Sequence, residues 1–83
     1  MGIHGYTARH RSMLKAVAEG RAELSGGRVP NLAVDGLWCD FTATNELCAR
    51  GLVAAAHSSR SGQRVRAVLT SSGEQVLGLL IAA

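Results

Sequence analysis

The sequence predicts one small α+β domain over residues 1–83, ordered helix, β-hairpin, helix, β-hairpin, helix. Three observations predict it. In RVRAVLTSSGEQVLGL, residues 64 to 79, Arg64 and Arg66 alternate with Val65, Ala67 and Leu69, the period of a strand, and after Thr70 the spacing becomes helical. AVDGLW places Asp-Gly between apolar residues, a strong short-range hairpin signal. Two helical stretches each stop at a glycine, Gly20 and Gly51.

Thr7 can cap a helix from Ala8 to about Glu19. Met13, Leu14, Val17 and Ala18 fall on one side, with His10 near them. Arg9, Arg11, Ser12, Lys15 and Glu19 spread over the rest. That outer face is cationic, and a solvated surface is a plainer account of it than a phosphate-contacting one. RAELSGGRVPNLAVDGLWC follows. Gly26-Gly27 and Asp35-Gly36 read as tight turns, giving strands near Arg21–Ser25, Val29–Val34 and Leu37–Cys39. Pro30 cannot donate to a ladder, so the middle strand starts late or has an open edge.

Asp40 can cap a helix from Phe41 or Thr42 to Arg50, ended by Gly51. Phe41, Thr44, Leu47, Cys48 and Gly51 gather on one side. Thr42, Asn45, Glu46, Ala49 and Arg50 gather on an outer face that is short and polar. Leu52–His57 is apolar and reads as a strand. SSRSGQ is a turn-forming, cationic loop, and Arg64–Leu69 is the return strand. Val65, Ala67 and Leu69 pack inward while Arg64 and Arg66 face out. Ser71-x-x-Glu74 matches a capping box, with Thr70 an alternative cap. Val76, Leu77 and Leu80 make the buried side of the last helix, and Leu79 and Ile81 point off it. Gly73 lies on its inner face, where it allows close approach to the sheet. Trp38 is expected to cover the core beside the hairpin; an exposed Trp38 would mark a partner surface.

Eighty-three residues bury only a modest core, so a partner subunit would help stability. The apolar share of 47% and charged share of 18% exclude a disordered tail. Nine Lys+Arg against six Asp+Glu give +3. All the cations but Lys15 are arginines, which suits bidentate phosphate or base contacts and equally suits a GC-rich coding sequence. MGIHGYTARHR lacks the apolar core of a signal peptide, and no run of about 18 apolar residues occurs. The expectation is a cytoplasmic protein with no membrane span. Cys39 and Cys48 would be free thiols in the core.

NELCARGLVAAAHSSRSGQRVRAVLTSSGEQVL resembles the second half of a winged helix-turn-helix domain of the multiple-antibiotic-resistance-regulator type. The resemblance rests on Leu47, Gly51, Leu52 and Val53, then Leu69, Thr70 and Gly73, and covers about residues 41–80. It implies a winged-helix-like domain with a recognition helix at 42–50 and a basic wing at 58–66. The first half departs from the family. Where a helix normally precedes the recognition helix, AVDGLWCD reads as a hairpin, so strands or a single turn replace that helix.

The resemblance implies double-stranded DNA as partner and assigns the contacts. Thr42, Asn45, Glu46 and Arg50 would face the major groove, with Asn45 suited to adenine, Arg50 to guanine or phosphate and Glu46 to cytosine. Arg60, Arg64 and Arg66 would serve the wing, and Arg9, Arg11 and Lys15 would add backbone contacts. Only Arg50 is cationic on the reading helix, where Glu46 and Asp40 offset it. Two readings therefore stand. One is a small transcriptional regulator or phage-type accessory protein that binds DNA. The other is a winged-helix interaction module that binds or inhibits a host or partner protein. The resemblance also implies a homodimer through the terminal helix, with Leu79 and Ile81 covering the other subunit; a monomer with a frayed end is the alternative. No enzyme is expected, because no nucleophile–base signature, phosphate loop or carboxylate pair stands out. No metal or other cofactor is expected either, since His4, His10, Cys39, Cys48 and His57 lack zinc-ligand spacing.

Overall fold

The structure, a computed structural model, describes residues 5–27, 29–58, 60 and 62–82. His4, Ser59 and Ser61 lie outside them. The described chain forms α1 (Ala8–Ala18), β1 (Ala22–Ser25), β2 (Asn31–Val34), β3 (Leu37–Trp38), α2 (Phe41–Ala49), β4 (Val53–Ala55), β5 (Arg64–Leu69) and α3 (Ser71–Ala82). The strands make one antiparallel sheet ordered β3-β2-β1-β5-β4. The α+β class and the element order follow the sequence. The hairpins do not stand apart, however. β1 pairs with β5 and joins them into one sheet.

The alternation of side chains decides which face of the sheet is covered. Ala22 and Leu24 on β1, Leu32 on β2, Val53 on β4 and Ala67 on β5 enter one core cluster. Met13, Leu14 and Val17 of α1, Ala43 and Leu47 of α2 and Leu77 of α3 complete it. All three helices therefore cover the same sheet face. The opposite face carries Glu23, Ser25, Asn31, Trp38, Arg64 and Arg66. Pro30 has the expected effect: β2 starts late, at Asn31, although it is paired on both sides.

Local chemistry sets the element ends. Thr7 Oγ1 accepts the His10 N–H at 3.2 Å, and His10 Nδ1 accepts the Thr7 N–H at 2.9 Å. This is a capping box with histidine in the place of the usual Glu or Gln. At α3 the cap is Thr70, the alternative to the Ser71 box: its Oγ1 accepts the Gly73 N–H at 3.0 Å. The same hydroxyl donates to the Gly51 carbonyl at 2.6 Å, tying the end of α2 to the start of α3. A Cβ on Gly73 would collide with the Leu52 carbonyl oxygen, so the close approach expected there is real.

Three side chains depart from expectation. Ala16, not Ala18, is buried on α1. Phe41 is 52% exposed, because it opens α2 before the helix reaches the core; burial begins at Ala43 and Thr44. Trp38 is 59% exposed rather than covering the core. It lies opposite Ala33, which lies opposite Glu23, so pleating turns all three away from the helices.

Candidate nucleic-acid interface

α2 is short because Asp40 starts it and Gly51 ends it. Asp40 Oδ1 accepts the Ala43 N–H at 2.7 Å. Gly51 has φ +72°, a left-handed conformation that costs other residues about 1–2 kcal/mol. With Ala43, Thr44 and Leu47 buried, the outward side is Phe41, Thr42, Asn45 and Ala49. Thr42 and Ala49 are exposed, and Asn45 is half-buried.

Glu46 and Arg50 turn toward α1 instead of straight outward. His10, nearly fully buried, places Nε2 2.8 Å from Glu46 Oε1. Because His10 Nδ1 accepts from Thr7, the Nε2–H is the donor in that bond. The Arg50 guanidinium lies 4.7 Å above the Tyr6 ring, and Arg50 Nη1 donates to the Gly5 carbonyl at 3.3 Å. Arg9 Nη1 donates to Asp40 Oδ2 at 2.7 Å. The Asp40 carboxyl is held below its ordinary range, first by the Ala43 N–H and then by the Arg9 charge. α1 thus braces α2 through Arg9 and His10, and the segment before it adds a third contact through Gly5 and Tyr6.

The direction of α2 follows from the register of the sheet. Ser25 stands between Asn31 and Arg64, and the loop beyond Arg64 docks on Gly26: Gly26 N–H donates to the Gln63 carbonyl at 2.8 Å, and Gly62 N–H to the Gly26 carbonyl at 3.1 Å. β3 runs toward this same end, because Cys39 N–H reaches the Leu32 carbonyl at 2.8 Å. α2 therefore begins at the end of the sheet where the β4–β5 loop and Arg60 project. It finishes at the other end, where Thr70 N–H meets the Leu52 carbonyl.

The candidate contacts separate into groups. Arg9, Thr42 and Glu46 line one shallow cleft with Thr7, His10 and Asp40. Arg60 is exposed at the loop, and Asn45 is on the outward side of α2. Arg11 and Lys15 are exposed on α1. Arg64 and Arg66 are not with the helix. Val65 and Ala67 fill the core beneath the helices, so Arg64 and Arg66 emerge on the sheet's opposite face. The expectation that one duplex meets both α2 and these two arginines is corrected: the thickness of the sheet separates them.

Comparison with known protein families, curated proteins and solved structures finds no match. Among the described residues no group of three His, Cys, Asp or Glu could hold a metal ion, and no helix is long and apolar enough to cross a membrane. Burial pushes the Cys39 and Cys48 thiols up, which leaves them less nucleophilic than an exposed thiol.

Two features escape a reading by composition. The His10–Glu46 link was marked only by Thr7-x-x-His10, a capping-box spacing with an unusual third partner. The exposed group of Leu37, Trp38 and Phe41 was marked by how short a strand fits between Gly36 and the Asp40 cap.

Proposed function

We propose that this chain is a winged-helix-like DNA-binding domain whose contact surface is narrower than its arginines suggest. The outward side of α2, through Thr42 and Asn45, meets base edges, and Arg60 at the β4–β5 loop meets phosphate. Arg50, held over Tyr6, remains exposed enough to reach a phosphate at the end of the helix. Arg9, Arg11 and Lys15 add to the attraction from α1. The observation that carries this reading is the shared end of the sheet: α2 starts where the Arg60 loop projects. A helix laid in the major groove then has a cationic loop beside the flanking backbone. Arg64 and Arg66 take no part.

The test is a titration of the chain into a labelled duplex of mixed sequence at rising salt. Binding at about 50 mM salt should weaken toward 200 mM, with a log–log slope of roughly −3 for about three phosphate contacts. Absence of binding to any duplex at low salt would contradict the reading. The second reading, a protein-interaction module, is favoured by one observation, the exposed apolar corner of Leu37, Trp38 and Phe41.

A further inference from the structure

Among the described residues, His10 is the one buried side chain that can gain a charge near neutral pH. Its side chain is 4% exposed, and both ring nitrogens are engaged. Nδ1 accepts the Thr7 N–H at 2.9 Å, and Nε2–H donates to Glu46 Oε1 at 2.8 Å. A neutral imidazole can do both. An imidazolium cannot, because both of its nitrogens are donors. A capping box closed by Gln has no such sensitivity.

A proton on the ring acts at both ends. At Nδ1 two N–H groups would face each other. The new Nδ1–H can turn to Thr7 Oγ1, 3.3 Å away. The Thr7 N–H then has no acceptor and must turn to water. Gly5 and Thr7 are exposed and Tyr6 is half-buried, so this segment can shift without opening the core. It is also the segment that holds Arg50, through the Tyr6 ring and the Gly5 carbonyl. At Nε2 the bond to Glu46 survives and becomes an ion pair, which offsets a carboxylate on the flank of α2.

The charges around the ring oppose one another. Glu46 favours the cation. The positive end of α1 disfavours it, as does Arg50 on the Tyr6 ring that meets His10 edge-on. Arg9 and Asp40 offset each other at 2.7 Å, and Thr42 and Ala43 line the same cleft uncharged. Arg11 and Lys15 are exposed, and the strands and α3 face α1 with apolar side chains.

We propose that His10 is a proton-operated latch between α1 and α2. Uncharged, it holds Gly5–Thr7 closed and leaves the Glu46 carboxylate unbalanced. Charged, it frees that segment together with Arg50 and offsets Glu46. A duplex then meets a more cationic α2 and binds more tightly under mild acid. This last step rests on the DNA reading, and the latch itself does not.

A nuclear magnetic resonance titration of the free chain from about pH 8 to about pH 5.5 tests the latch. The Thr7 amide and the Arg50 Nε–H should shift with the same midpoint as the His10 ring. A ring that gains no proton over this range overturns the latch, as does a Thr7 amide that does not follow the ring. Duplex affinity reads the consequence. The wild-type chain should bind about fivefold more tightly at the acid end, the low end of the usual range of coupling. His10→Gln keeps a capping partner without a titrating ring, and its affinity should not change with pH. His57→Gln should behave as the wild type does. Equal pH dependence in the wild type and His10→Gln overturns the coupling to DNA. A chain that binds no duplex at either pH sinks the DNA reading instead, and the free-chain titration still decides the latch. The same titration decides should His10→Gln fail to fold.

Discussion

The Arg64 guanidinium carbon lies 5.4 Å from the centroid of the Trp38 ring. The two residues are on β5 and β3, with β1 and β2 between them. Their long side chains meet over the intervening strands, on the sheet face that no helix covers. Ala33 faces the same way and is only 1% exposed. This pair closes part of an otherwise open face, which is a structural use for an arginine whose position in the chain suggested DNA. Glu23 Oε1 lies 3.7 Å from Arg64 Nε, a half-exposed ion pair that contributes little.

Arg64→Ala should therefore act on stability and on Trp38 rather than on a ligand. The expected loss is about 0.5–1 kcal/mol, the size of an exposed cation–π contact. Trp38 fluorescence should change in the folded state and match wild type in urea. Denaturant titration followed at the tryptophan reports both. An unchanged emission spectrum would show that the contact is not made in solution.

Two glycines of α3 should respond in opposite directions to the same substitution. A methyl group at Gly73 runs into the Leu52 carbonyl oxygen, backbone that cannot rotate away. Gly73→Ala should cost about 3 kcal/mol through displacement of α3. A methyl group at Gly78 meets nothing within 4 Å. Gly78→Ala should stabilise by about 0.5–1 kcal/mol, because alanine loses less backbone freedom in a helix. Thermal melts of the two variants check the pair.

Asp40 should give the fold a specific acid sensitivity. Its carboxyl is held below the ordinary value, first by the Ala43 N–H and then by Arg9. The unfolded chain binds that proton more readily than the folded one. The stability this group contributes is complete above the ordinary aspartate range and is lost as pH falls from about 4 through the folded value. Asp40→Asn keeps a capping oxygen but removes the charge. The gap in melting temperature between wild type and variant should be present at pH 7 and shrink as the pH is lowered below about 4. A gap that stays constant with pH would place the benefit of Asp40 in the cap geometry alone.

The two thiols should be sluggish. Burial pushes both up, and at Cys39 the neighbouring Asp40 charge adds to the effect. Reaction with a disulfide reagent at pH 7 should be several-fold slower in the native chain than in urea. Equal rates would mean that α2 and the end of β3 open freely.

Much of this fold was legible because local signals agreed with one another. Arg64–Leu69 was readable to the residue, since Arg64 and Arg66 alternate with Val65 and Ala67 and Thr70 can cap the helix that follows. Asp35-Gly36 was legible for the same reason: Asp35 at φ 52° and Gly36 at φ 83° make the left-handed pair such a turn requires. Strand pairing was not legible. Nothing local says that β1 chooses β5, and that choice determines which face Arg64 and Arg66 share with Trp38. Trp38 misled because a tryptophan is ordinarily core, while a two-residue edge strand has no second face to hide it. Glu46 and Arg50 were expected on the outer face of α2, and both turn instead toward the N-terminal segment. Their partners, His10 in α1 and Tyr6 just before it, come about forty residues earlier, beyond the reach of any local pattern.

The central claim is that DNA meets the α2 and Arg60 end of the molecule and not the Arg64–Arg66 face. Amide chemical-shift mapping of the isotope-labelled chain with a short duplex tests it most directly. The account predicts shifts at Thr42, Asn45 and Arg60, with Glu23, Arg66 and Val68 of the opposite face unmoved. Shifts centred on that opposite face, or none anywhere at low salt, would contradict it.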